Sequence, residues 1–132
     1  MRFINISFFL SLFLILTSFN SLNSNQYKLK TIVIDAGHGG KDPGARGKFS
    51  WEKDIALSIS LELGRILKEN MPEIKIVYTR EADIFLSLYN RAEIANKANA
   101  DLFISIHADS FSNSSVYGTT TYLMVLVKLQ PT

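Results

Sequence analysis

Thr31-Ile32-Val33-Ile34-Asp35-Ala36-Gly37-His38-Gly39-Gly40 is the stretch on which the reading of this chain turns. A run of extended, largely β-branched residues enters a glycine-rich turn with a histidine at its tip. Far downstream, Asp101-Leu102-Phe103-Ile104-Ser105-Ile106-His107-Ala108 repeats the arrangement, and His38 and His107 are the only 2 histidines in the chain. In open α/β sheets the carboxyl ends of parallel strands converge on one crevice, where sites are built. Two such strands in one parallel sheet deliver both imidazoles to the same edge, which is the geometry of a metal site.

At 132 residues the chain has room for one domain. Its 14 basic and 12 acidic side chains nearly balance, at a net charge of +2, and no basic block stands out, so composition gives no support to nucleic-acid binding. There is no cysteine. Thiolate sites are thereby excluded, and any zinc must be held by imidazole and carboxylate. The amino terminus is set apart: Arg2 precedes an almost wholly apolar run from Phe3 to Phe19, followed by a polar tract. This is the pattern of a secretory signal peptide, and the apolar centre is shorter than the ~20 residues of a spanning helix. Residues 1–24 are accordingly expected to be a signal peptide or uncleaved anchor and the start of a polar linker, residues 25–30 the rest of the linker and residues 31–132 a partial domain. Any membrane contact runs through that first segment.

From residue 31 onward the pattern alternates between strands and helices. Thr31–Asp35 predicts a central strand buried on both faces. Ser50 is the expected N-cap of a helix with Glu52 and Asp54 in its first turn. Ile55, Ile59, Leu63, Ile66 and Leu67 are its expected buried face, and it stops near Asn70 before Pro72. Ile74–Thr79 is a second strand. Ser87 caps a second helix with Leu88, Ala92, Ala95 and Ala98 inward, ended near Asn99. Leu102–Ile106 is a third strand, and Gly118–Val127 is expected to be a fourth. The order implies an α/β fold, a mostly parallel central sheet flanked by helices on both faces.

A catalytic zinc generally takes three protein ligands and keeps a position open for water. With two histidines in hand, the third ligand is sought among carboxylates at the same end of the sheet. Glu52 is preferred because its helix begins directly after the loop carrying His38. Asp35 and Asp109 are rivals, each close in sequence to a histidine, and either could instead orient a ligand imidazole. A different chemistry for the same loop is anion binding, with backbone N–H groups of Gly37 to Gly40 and the Lys41 ammonium around a phosphate. The loop fits neither the phosphate-loop nor the dinucleotide glycine spacing.

The segments Ile32–Ala45, Glu52-Lys53-Asp54, Thr79-Arg80, Arg91-Ala92 with Ala95-Asn96, and Ala100–Asp109 together resemble the zinc-dependent N-acetylmuramoyl-L-alanine amidases of bacterial cell walls, over residues 31 to about 124. The resemblance implies that His38, Glu52 and His107 bind Zn2+. It also implies hydrolysis of the amide between N-acetylmuramic acid and L-alanine in peptidoglycan, export to the periplasm or cell envelope, and a role in wall remodelling and daughter-cell separation. An activator protein is left unspecified. In the family the general base is a glutamate on a late strand, whereas here Asp109 is the last acidic residue of the sequence. The chain is therefore expected to stop inside the domain, to hold zinc and to hydrolyse poorly. A non-catalytic, zinc-holding wall-binding module is the alternative that this departure keeps open.

Overall fold

The computed structural model describes residues 28–110, 113 and 115–123. The expected signal segment, and the part of the expected fourth strand from residue 124 on, lie outside them. Five elements follow in order: β1 (Thr31–Ala36), α1 (Glu52–Asn70), β2 (Lys75–Tyr78), α2 (Leu88–Lys97) and β3 (Leu102–Ile106). The strands form one parallel sheet in the order β2-β1-β3. Parallel pairing requires crossovers, and α1 and α2 supply them.

All six residues of β1 are buried, as an apolar run covered on both faces requires. Its entry is fixed by the Asp101 carboxylate, which accepts from the backbone N–H groups of Lys30 and Thr31 at 2.8 and 2.7 Å. Alternation then divides its side chains. Ile32 and Ile34 join Ile74 in the core, against Leu63 and Leu67 of α1 and against Tyr78, Ile104 and Ile106 of the neighbouring strands. Asp35 points to the opposite face, where Arg91 of α2 meets it. One helix thus lies on each side of the sheet.

The helices do not present the faces that hydrophobic spacing predicts. Along α1 the buried positions recur every four residues, Glu52 at its start and then the small residues Ala56, Ser60 and Gly64. Of the expected face, Leu63 and Leu67 reach the core, while Ile55, Ile59 and Ile66 are exposed. Close approach explains the shift: a Cβ on Gly64 would run into the Tyr78 ring, so the helix sits on the sheet through its smallest side chains. The N-cap of α1 is Trp51, without a side-chain cap bond, and not Ser50. In α2 the Ser87 hydroxyl does accept from the Asn90 N–H at 3.2 Å, and Asn99, just past the helix, has a φ of 48°. Its expected apolar face holds only in part: Ala95 and Ala98 are half-buried, while Ala92 is exposed. Leu88 is 85% exposed, and the fully buried residue is Arg91, which anchors the helix to the sheet by hydrogen bonds to Asp35 and the Ala36 carbonyl.

β2 is one residue shorter at each end than expected, and β3 matches its expected span. Leu102 and Phe103 are half-exposed, since β3 has no further partner strand among the described residues. Residues 118–123 carry no strand and are exposed, so the expected fourth strand is not formed over its described part. β-Propensity without a pairing partner does not make a strand.

Asp35 and Arg91 form a buried pair at 2.7 Å. Removing one partner of such a pair costs about 3–5 kcal/mol, because the other charge is stranded. Arg91→Met should therefore lower the unfolding free energy in urea by that amount, and a loss below about 1 kcal/mol would contradict this account of α2.

Candidate metal centre

β1 ends at Ala36, and the chain leaves the sheet through a turn that Gly37 continues by donating its N–H to the Ile106 carbonyl at 3.0 Å. His38 follows with a φ of 59°, in the left-handed region that non-glycine residues seldom enter. Two buried arginines hold this turn from below. Arg80 donates to the carbonyls of Ala36, Gly37 and Lys53 at 2.9, 2.8 and 2.8 Å. Arg91 donates to the carbonyls of Ala36 and His38 at 2.7 and 2.6 Å. Burial, joined by the neighbouring charge of Arg91, draws the Arg80 guanidinium below its ordinary pKa, so this support carries a desolvation cost. The outer part of the loop is tied to the segment after β2: Asp83 accepts from the Gly40 N–H at 2.7 Å and from the Lys53 ammonium at 2.6 Å.

Glu52, the first residue of α1, is 4% exposed and sits at the centre of the site. Its Oε1 lies 3.2 Å from His38 Nε2 and 3.0 Å from His107 Nδ1. The Ala108 N–H donates to the same oxygen at 3.0 Å and the Ala45 N–H to Oε2 at 2.8 Å. Burial alone would raise the pKa of this carboxyl. The bonds from Ala45 and Ala108, the His107 ring and the charge of His38 outweigh burial and leave it below the usual value, ionised at neutral pH. The two imidazoles meet edge to face with centroids 4.9 Å apart.

One donor atom from each of His38, Glu52 and His107 lies within 4.8 Å of the other two, a spacing that could hold a metal ion. Zinc bonds to imidazole and carboxylate are about 2.0–2.2 Å long, so neighbouring donors of a tetrahedral ion stand roughly 3.3 Å apart. The Glu52 contacts come close to that spacing, and a borderline-soft ion suits two imidazoles and one carboxylate. The residue types and their placement fit the group.

Of the two rival carboxylates, neither is in the cluster. Asp35 is 3% exposed and accepts from Thr79 Oγ1, Arg91 Nη1 and Ser105 Oγ at 2.6, 2.7 and 2.8 Å, on the α2 face of the sheet. Asp109 is exposed. The residue that does orient an imidazole is Asp42, whose Oδ2 stands 3.0 Å from His38 Nδ1 and leaves Nε2 for the centre. That bond is the main reason the Asp42 carboxyl lies below its ordinary pKa. Sequence reasoning missed it; its one signal is the four-residue spacing within a turn tight enough to fold back on itself. Space is reserved by glycines: a Cβ on Gly37 would stand 2.6 Å from His107 Nε2, and one on Gly44 2.7 Å from Glu52 Oε2.

An α/β sheet that brings His38, Glu52 and His107 together beyond the carboxyl ends of β1 and β3, in a cluster that could hold a metal ion, defines the class of fold and site. Comparison with known proteins gives the family. Residues 32–130 match the model of the N-acetylmuramoyl-L-alanine amidase family, Amidase_3, and the chain belongs to that family. The match passes residue 124, where the sequence reading ended the likeness. Among curated relatives, AmiA of Escherichia coli K12 is 42% identical over 96 residues, 72% of this chain and 32% of AmiA. A putative amidase of Buchnera aphidicola is 45% identical over 94 residues, 70% of this chain and 43% of that protein. The chain thus spans between about a third and under half of these relatives. The solved catalytic domain of CwlV from Bacillus (Paenibacillus) polymyxa has a TM-score of 0.63 at 43% identity, covering 67% of this chain and 50% of that one. CwlD of Clostridioides difficile, solved in complex with the GerS lipoprotein, has a TM-score of 0.62 at 40% identity, covering 67% and 53%.

Gly37→Ala tests the packing of the site without removing a donor. Forcing a methyl against the His107 ring should cost about 1–3 kcal/mol in chemical denaturation. An unchanged midpoint would show that the ring is not seated on Gly37.

Proposed function

We propose that this chain is a zinc-dependent amidase module directed at the bond between N-acetylmuramic acid and L-alanine in peptidoglycan, with His38, Glu52 and His107 as the metal ligands. The observation that carries the reading is the meeting of two imidazoles on one oxygen of a buried, ionised carboxylate at the functional edge of the sheet. Family membership supplies the substrate. A zinc ion held there supplies Lewis acidity towards an amide carbonyl and towards water.

The chain's own residues have distinct roles. Glu52 is locked by two backbone N–H groups, so its geometry is set before any ion arrives. Asp42 fixes the ring orientation of His38. The His107 side chain is 42% exposed, against 23% for His38, and gives the centre its open side towards solvent, where a substrate carbonyl can approach. Amide hydrolysis also needs a group that takes a proton from water and returns it to the leaving amine. Asp109 is the only carboxylate after His107 in this sequence, and it is exposed and outside the cluster. We therefore expect the 132-residue polypeptide to bind zinc and to hydrolyse slowly. Among the described residues no carboxylate beyond Glu52 joins the cluster, and that favours the second reading, a module that holds zinc and docks on the wall without cutting it.

The compartment that fits is the periplasm or cell envelope, with residues 1–24 as export signal. The CwlD relative forms a complex with a lipoprotein, and by that kinship a protein partner is proposed for this chain too, of unspecified identity.

Two measurements test the reading. Metal analysis of the purified chain should give about one zinc per polypeptide, lost in His38→Ala and His107→Ala; no zinc would refute it. Dye release from labelled sacculi should then run at least ~100-fold slower than with AmiA of Escherichia coli, the lower end of what a placed acid–base group contributes. A comparable rate would refute the expected impairment and the docking reading together.

A further inference from the structure

On the loops that bracket the metal centre, cations rest on aromatic rings. Arg46 and Trp51 face each other across an antiparallel bridge, and the guanidinium stands 5.8 Å from the indole centroid. They sit one residue outside Ala45 and Glu52, which are joined by the Glu52 N–H to the Ala45 carbonyl at 2.9 Å and by the Ala45 N–H to Glu52 Oε2. At the other end of the same loop, the Lys41 ammonium lies 4.6 Å from the Phe85 ring centroid. Lys41 precedes Asp42, the partner of His38, and Gly40 packs so closely on the segment after β2 that a Cβ there would stand 2.7 Å from the Phe85 nitrogen. Both aromatic rings keep over two-fifths of their surface exposed.

These two cations are uncompensated. Among the described residues neither Arg46 nor Lys41 makes an ion pair or a side-chain hydrogen bond. The nearby carboxylates are engaged elsewhere: Asp42 with His38, Glu52 in the cluster, Asp83 with Lys53 and Gly40. Glu81, in the adjoining segment, pairs with neither. The three other arginines among the described residues have donors spent, Arg65 on Glu62 and Glu69, Arg80 on carbonyls, Arg91 on Asp35 and carbonyls. An aromatic face holds a guanidinium in place while leaving its fork of N–H donors free, and that fork matches a carboxylate.

We propose that Arg46 and Lys41, seated on Trp51 and Phe85, form a carboxylate-binding rim of the metal centre that engages the peptide side of the substrate. The inference rests on the amidase reading and names which half of the substrate is recognised here. The scissile amide consumes the carboxyl of muramic acid and the amine of L-alanine. The carboxylates that remain belong to the peptide, at its end and on any acidic side chain, so a cationic rim selects that half over the sugar. Arg46 and Lys41 are specificity residues, and they are no part of the ligand set.

The test uses Trp51, the single tryptophan of the chain, as reporter. The zinc-loaded 132-residue chain is titrated with N-acetylmuramoyl-L-alanyl-D-glutamate and with the same compound bearing both carboxyls as amides, following Trp51 emission and, independently, calorimetry. The acid should bind at least about fivefold more tightly than the diamide. Arg46→Gln should remove most of that difference, with Lys41→Gln removing a smaller part, while zinc stoichiometry and circular dichroism stay unchanged. If the wild type binds acid and diamide equally, or Arg46→Gln binds the acid as the wild type does, the rim is overturned and the amidase reading stands. If the wild type holds zinc yet binds neither compound, the amidase reading falls and takes the rim with it.

Discussion

The structure turns on one buried carboxylate. Asp35, at the carboxyl end of the central strand, accepts hydrogen bonds from Thr79 just past β2, Ser105 of β3 and Arg91 of α2. Three elements of the sheet and the helix on its far face are thereby tied to a single side chain that is 3% exposed. A charge in that position is tolerable only because every oxygen is answered. The same Arg91 reaches onward to the carbonyls of Ala36 and His38, and Arg80 takes those of Ala36 and Gly37. Fold and site are joined through these contacts.

The geometry of His38 follows from that clamp. A histidine at a φ of 59° holds a conformation of low intrinsic preference, and such conformations persist where their surroundings over-determine them. Here the carbonyl of His38 is held by Arg91 and its ring by Asp42. Glu52 is fixed independently, by backbone donors from the loop before α1 and from the residue after His107. The carboxylate therefore stands between two histidines that arrive on different strands, and one oxygen contacts both rings. Glycines at 37 and 44 keep the space open where any Cβ would press on His107, or on His38 and Glu52.

Much of this was open to the sequence. The strand β1 reads clearly because a parallel strand buried on both faces leaves a continuous apolar run, β3 because its largely apolar run is bounded by turn residues, and each leads into a segment carrying a histidine. Glu52 followed from the rule that the helix after a strand starts above that strand's carboxyl end. What misled was burial by hydrophobicity. Ile55, Ile59 and Ile66 suggested a face that close packing gave instead to Ala56, Ser60 and Gly64. Leu88 suggested an apolar contact where α2 is anchored by an arginine. Asp35 reads as a rival ligand, because sequence proximity to a histidine cannot show that alternation turns the side chain into the sheet's far face. Asp42 gives a fainter signal, because its contact with His38 depends on the conformation of the turn between them.

The central claim is that His38, Glu52 and His107 form one coordination shell. Zinc K-edge X-ray absorption on the 132-residue chain loaded with one equivalent of zinc reads that shell directly. The account predicts a low-coordinate centre with two imidazoles and oxygen donors at about 2.0–2.2 Å, with one imidazole signature lost in His107→Ala. A six-oxygen shell without imidazole scattering would contradict it.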